Sequence, residues 1–162
     1  MKKLLVLKNI EREGPGLFLK IAKEKGFLPE IYNLSLGEKL PEPKKDDLIL
    51  IMGGPMSVRD MRNEKYFWLR EETYFLKRAI ENKISIIGVC LGAQLLAHVL
   101  GGKIVRLKDE SNKENKPEIG WSEISSIDDK SNKEISLSIE EPLRVLHWHG
   151  DRIILPPQAE LL

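Results

Sequence analysis

The stretch ISIIGVCLGAQLLAHVLGG, residues 84–102, decides how this chain is read. Residues 84–89 form a short apolar run rich in β-branched side chains, the pattern of a buried parallel strand. Residues 91–102 have the apolar character of a packed helix. Between the two stands Cys90, the one cysteine of the chain, with Gly88 two positions before it and Gly92 two after. Almost no loop separates strand from helix. A turn that sharp is strained and crowded and needs small neighbours, which the two glycines supply. It would present the Cys90 side chain at the carboxyl edge of the sheet, where open α/β sheets bind ligands. It would also place the sulfur at a helix N-terminus, where the dipole and free N–H groups favour the thiolate. A lone cysteine is more often a small core residue; the G-x-C-x-G elbow turns that reading towards a nucleophile.

The same alternation of strand and helix extends upstream. LLVLKNI (4–10) predicts a strand and LFLKIAKEKG (17–26) a helix that stops at Gly26. FLPEIYNL (27–34) predicts a strand with Pro29 at an edge or start, and LILIMGG (48–54) a central strand apolar on both faces. NEKYFWLREETYFLKRAIENK (63–83) predicts the longest helix, with Tyr66, Leu69, Thr73, Leu76 and Ile80 on one face. Residues 84–89 are then a fourth buried strand. Short connections between alternating elements argue for an α/β fold, a mainly parallel sheet with helices on both faces. Beyond Lys103 the pattern weakens. KIVRLK (103–108) and EIGWSEI (118–124) predict antiparallel strands, DESNKENKP (109–117) and DDKSNKE (128–134) charged surface loops, and PLRVLHWHGD (142–151) one further strand.

The 162 residues suit a single domain, 1–162, without internal repeat. A hydrophobic fraction of 41%, a charged fraction of 31% and a net charge of +1 give no case for nucleic acid or an anionic membrane as partner. One cysteine excludes an internal disulfide and fits a reducing compartment. No run reaches membrane-spanning length and the N-terminus lacks a signal-peptide pattern, so the expected location is the cytoplasm.

Two further motifs join Cys90. MGGPMS (52–57) follows a central strand and so falls at the same sheet edge; a thiolate attacking an amide creates an oxyanion, and the backbone N–H groups of Gly54 and Leu91 could receive it. The bland reading of Gly-Gly-Pro is a tight turn. Gln94 lies one helical turn after Cys90 on the same side, in a helix otherwise apolar, where its amide could meet a polar substrate end.

GGP after one strand, G-V-C-L-G-x-Q at the next and HWHGDRIILP at 147–156 together resemble the class I (triad) glutamine amidotransferases, and among them stand-alone members related to the amidotransferase domain of GMP synthase. The resemblance runs from Leu4 to about Leu162. It implies a flavodoxin-like three-layer α/β/α domain that hydrolyses the side-chain amide of glutamine and releases ammonia. Cys90 would be the nucleophile and Gly54 and Leu91 the oxyanion donors. Gly53, Gln94, His149, Gly150 and Asp151 would hold glutamine. No metal or organic cofactor is implied, and a synthetase is the implied partner. The family's base is a histidine in an H-x-E motif on a strand after the WHGD segment. Here the histidines are His98, His147 and His149, and none has a glutamate two positions on. The expectation is therefore a domain short of the family's C-terminal elements, with an incomplete triad and an exposed sheet edge through which copies could associate. Two other readings stay open: a non-catalytic glutamine-binding relative, and a thiol hydrolase of γ-glutamyl bonds built on the same elbow.

Overall fold

The structure, a computed structural model, describes residues 2–111, 113–125 and 142–161. Four parallel strands, β1 (Lys3–Lys8), β2 (Leu28–Asn33), β3 (Leu48–Ile51) and β4 (Ser85–Gly88), lie side by side in the order β2-β1-β3-β4. Leu5 pairs with Ile49, and Ile49 in turn with Ile86. The connection from β1 to β2 carries helix α1 (Leu17–Glu24), and the one from β3 to β4 carries α2 (Trp68–Glu81); a third helix, α3 (Leu91–Val99), follows β4 at once. The chain thus winds outward in both directions from β1 and β3. That places a topological switch point between their carboxyl ends, where this class of sheet forms its crevice.

Strand alternation divides the core between the two faces. Leu5, Leu7, Ile49 and Ile51 pack with Leu69, Phe75 and Leu76 of α2 and Leu91 and Leu95 of α3. Leu4, Val6, Leu50 and Met52 pack on the other face with Ala22 of α1. Each such fully buried aliphatic side chain contributes about 1.5–3 kcal/mol relative to exposure. This is the three-layer α/β/α arrangement.

After α3 the chain builds two antiparallel ribbons. β5 (Lys103–Arg106) pairs with β8 (Asp151–Ile154), and β6 (Glu118–Ile124) pairs with β7 (Leu143–His149). α3 packs against both β5 and β8, which ties the first ribbon to the main layers. The loop expected at 128–134 lies outside the described residues.

Several expected boundaries move. The long helix starts at Trp68, not 63, because Asn63 caps a separate 3₁₀ turn (Glu64–Tyr66) by accepting a hydrogen bond from the Lys65 N–H at 3.0 Å. Tyr66 therefore sits outside the α-helix, while Leu69, Thr73 and Leu76 hold the buried face as expected. The strand 142–151 is in fact two, broken at Gly150. β4 is half exposed rather than buried, since among the described residues it forms one edge of the four-stranded sheet. Pro29 does lie on an edge strand, β2.

Candidate active site

Cys90 has φ 52° and ψ −111°, a conformation that a side-chain-bearing residue adopts only under constraint. The constraint is visible in its neighbours. A Cβ on Gly92 would lie 2.3 Å from the Ile51 carbonyl oxygen, and one on Gly88 would lie 2.7 Å from the Ala93 nitrogen. Backbone therefore meets backbone where α3 leaves the sheet, and only glycine fits at either position. The Val89 N–H continues the ladder by donating to the Ile51 carbonyl at 2.9 Å. The chain then turns at Cys90, the N-cap of α3, and leaves its side chain exposed.

The loop after β3 lies against this elbow. A Cβ on Gly53 would stand 3.2 Å from Cys90 Cβ and 3.7 Å from Cys90 Sγ; one on Gly54 would stand 3.5 Å from Leu91 Cδ2. The loop is anchored from below by a buried polar network. Asn9, just after β1, donates from Nδ2 to the Met52 carbonyl (3.2 Å) and to Glu72 Oε1 (3.5 Å). Its Oδ1 accepts from Trp68 Nε1 at 2.9 Å. Glu72 is wholly buried and its Oε2 has no partner. Burial pushes its carboxyl up to about 8, against the opposing hydrogen bond from Asn9.

The elbow and the loop after β3 open onto a cavity of about 1370 Å³ lined by Cys90, Gly54, Gln94, His149, Gly150 and Asp151 among others. Gln94 is buried and lies one turn along α3, its N–H donating to the Cys90 carbonyl at 3.1 Å. Leu91 is buried too; its N–H, in the first turn of a helix, has no intrahelical acceptor. Asp151 is held where it stands. Ser57 Oγ donates to its Oδ2 at 2.9 Å and Arg59 pairs with its Oδ1 at 2.6 Å, so its carboxylate clasps the β3 loop to β8. His149 Nδ1 donates to the Asp151 carbonyl at 3.0 Å, and its Nε2 faces Glu118 Oε2 at 3.0 Å. His147 and Glu118 complete a cluster of potential metal ligands on the β6–β7 ribbon. His98 is exposed near the far end of α3 and does not line the cavity.

The cavity also contains residues the sequence did not single out: Arg12, Glu13, Ser57, Arg59 and Arg106. Glu13 comes nearest the elbow, its Oε2 3.0 Å from the point where a Gly53 side chain would begin. A signal for it existed, because EREGPG follows the first strand and therefore lies at the same carboxyl edge as Cys90. A second cavity of about 380 Å³, lined by Glu42, Phe75, Arg78 and Ile84 among others, shares none of these residues.

Comparison with known proteins gives one result throughout. Residues 22–161 match the family model described as glutamine amidotransferase class-I. A glutamine amidotransferase-like protein of Salmonella typhimurium, YfeJ, is 32% identical over 153 residues, covering 93% of this chain and 61% of that protein. One of the subunits of the glutamine-hydrolysing GMP synthase of Saccharolobus solfataricus is 32% identical over 118 residues, 73% of this chain and 54% of that one. The crystal structure of a glutamine amidotransferase from Thermotoga maritima superposes with a TM-score of 0.82 at 31% identity, covering 98% of this chain and 64% of that chain. The chain thus spans between half and two-thirds of the length of these relatives.

Proposed function

The chain belongs to the class I glutamine amidotransferase family, and from that premise we propose that its cavity binds glutamine and that Cys90 attacks the side-chain amide. The observation that carries this reading is the strained elbow at Cys90, with the Gly53-Gly54 loop packed against it.

The chemistry follows from the arrangement. The Cys90 sulfur adds to the amide carbon, and the carbonyl oxygen takes up the negative charge. The N–H groups of Gly54 and Leu91 are the donors for that oxyanion; one such donor supplies about 3–4 kcal/mol of transition-state stabilisation. The carbon–nitrogen bond breaks, the nitrogen leaves as ammonia after gaining a proton, and the acyl group remains on sulfur as a thioester. Water then releases glutamate and regenerates the thiol. Gln94, His149 and Gly150 form the pocket wall, Asp151 holds that wall in place, and Gly53 lies behind it against Cys90, where the absence of a side chain leaves the sulfur free. The charged amino-acid end of glutamine finds both signs in the cavity, with Glu13 available to the ammonium and Arg12 or Arg106 to the carboxylate. A synthetase that consumes ammonia is the class of partner this reading supports.

A proton must reach the leaving nitrogen, and the family's H-x-E motif is not among residues 1–162. The 162-residue polypeptide should therefore capture glutamine at Cys90 and turn it over slowly. The test uses a glutamine analogue with an electrophilic carbon in place of the side-chain amide. One equivalent should attach at Cys90, free glutamine should protect against it, and Cys90→Ala should abolish both labelling and ammonia release. Labelling indifferent to glutamine would remove the substrate assignment. Cleavage of a γ-glutamyl peptide in preference to glutamine would shift the reading to the γ-glutamyl hydrolase.

A further inference from the structure

The β6–β7 ribbon, whose His149 also walls the glutamine pocket, carries a cluster of side chains that the glutamine reading leaves unexplained. In its register Glu118 pairs with His149 and Gly120 with His147. Directly paired residues and those two apart along a strand share one face, so Glu118, His147 and His149 project together. Glu118 Oε2 lies 3.0 Å from His149 Nε2 and 3.4 Å from His147 Nδ1, and the three donor atoms are all within 4.8 Å of one another. A tetrahedral ion with bonds of about 2.0–2.1 Å separates its ligand atoms by about 3.3 Å. The two oxygen–nitrogen distances fall on either side of that value.

The hydrogen positions sharpen the case. His149 Nδ1 faces the Asp151 carbonyl, which offers only lone pairs, so Nδ1 must carry the hydrogen and donate it. Nε2 is thereby left to face the Glu118 carboxylate at 3.0 Å. A proton on Nε2 would satisfy that one contact. A divalent cation would satisfy all three donors at once, and the Nδ1–carbonyl bond is the outer partner that metal-binding imidazoles commonly have.

We infer that Glu118, His147 and His149 form a binding site for a borderline divalent cation of the zinc type. Three protein ligands leave a fourth position for water. Bound metal would pin β6 to β7 and stiffen the cavity wall to which His147 and His149 belong. The inference does not depend on glutamine chemistry and goes beyond it.

The experiment is a calorimetric titration of the full 162-residue chain with Zn²⁺, and with Co²⁺ for its visible spectrum, in the Cys90→Ala background so that no thiolate competes. One ion per chain should bind at micromolar concentration or below, with the strong d–d bands of four-coordinate cobalt. Glu118→Gln, His147→Ala and His149→Ala should each weaken binding by about tenfold or more. Because a variant could lose the ribbon's fold, the histidine side-chain NMR signals are also followed in the chain retaining both histidines. Both imidazoles should shift together and stop at one equivalent of Zn²⁺. Absence of stoichiometric binding, loss of binding on removal of the Cys90 thiol, or imidazole signals that stay still would each overturn the site.

Discussion

At the scale of the residue, Cys90 owes its position to what its neighbours lack. Its φ of 52° is a strained conformation, of the kind that costs about 1–3 kcal/mol and persists only where the surroundings over-determine it. The surroundings are the backbones of β3, β4 and α3 in direct contact. Gly92→Ala would press a methyl onto the Ile51 carbonyl, which has no side chain to swing away. The helix must lift, at an expected cost of about 1–3 kcal/mol, and it would carry the sulfur out of line with Gly54. Denaturant unfolding should show the loss, and labelling of Cys90 by the glutamine-like electrophile should slow at least tenfold. Labelling at the unchanged rate would mean that the elbow does not depend on this contact. That Gly88, Cys90 and Gly92 act together is legible in the sequence because they sit within five positions of one another. Arg59 and Arg106 are not legible in the same way. They reach the cavity from two other segments, and nothing local distinguishes them from ordinary surface charges.

At the scale of the element, the three helices end alike. After α1, Phe27 N–H bonds the Ala22 carbonyl; after α2, Ile84 N–H bonds that of Ala79; after α3, Gly102 N–H bonds that of Ala97. Each closure needs one residue in the left-handed region. Gly26 (φ 80°) and Gly101 (φ 91°) supply it for α1 and α3, but α2 uses Lys83 at φ 56°. A non-glycine residue there is strained by roughly 1–2 kcal/mol, partly offset by the greater entropy glycine has when unfolded. Lys83→Gly should therefore raise stability by about 0.5–1 kcal/mol and Tm by a few degrees. An unchanged or lower Tm would place the strain elsewhere. Glycine in the α1 stop made that end readable from the sequence, whereas at α2 the lysine hid the same motif. Element type was legible wherever apolar period and length agreed, as in β1, β3 and α2. At 142–151 the type was also legible but the number of strands was not, because one apolar-polar alternation runs through a break at Gly150 that assigns each half to a different partner strand.

At the scale of the whole molecule, the two halves of the crevice are joined by a carboxyl group shut away from water. Asn9 just after β1, Met52 from the β3 loop, and Trp68 and Glu72 from α2 share one buried network. Periodicity puts position 72 on the inner face of α2, but nothing in the sequence says that a glutamate there stays inside. Its burial raises the carboxyl to about 8, from an ordinary value near 4.5. The folded state therefore holds the Glu72 proton at pH values where the unfolded state has released it. Stability from this group is fully present below the ordinary value, declines as pH rises from there, and levels off above about 8. Glu72→Gln keeps the shape and the acceptor facing Asn9 but cannot ionise. Near pH 5 the variant should match the parent, since a buried amide and a buried neutral acid are alike in lacking one partner. Near pH 8 it should be more stable, by on the order of 2–4 kcal/mol. Denaturant midpoints taken across that range check the sign. A parent that gains stability with rising pH relative to Glu72→Gln would show that Glu72 is ionised in the fold, with a cation or water reaching the network. A parallel pair of profiles would show that the carboxyl is not truly desolvated. The predicted divergence ties the set of the Gly53-Gly54 loop to a proton held on the carboxyl that shares the Asn9 amide nitrogen with the Met52 carbonyl, so loop position and pH should be coupled through Asn9.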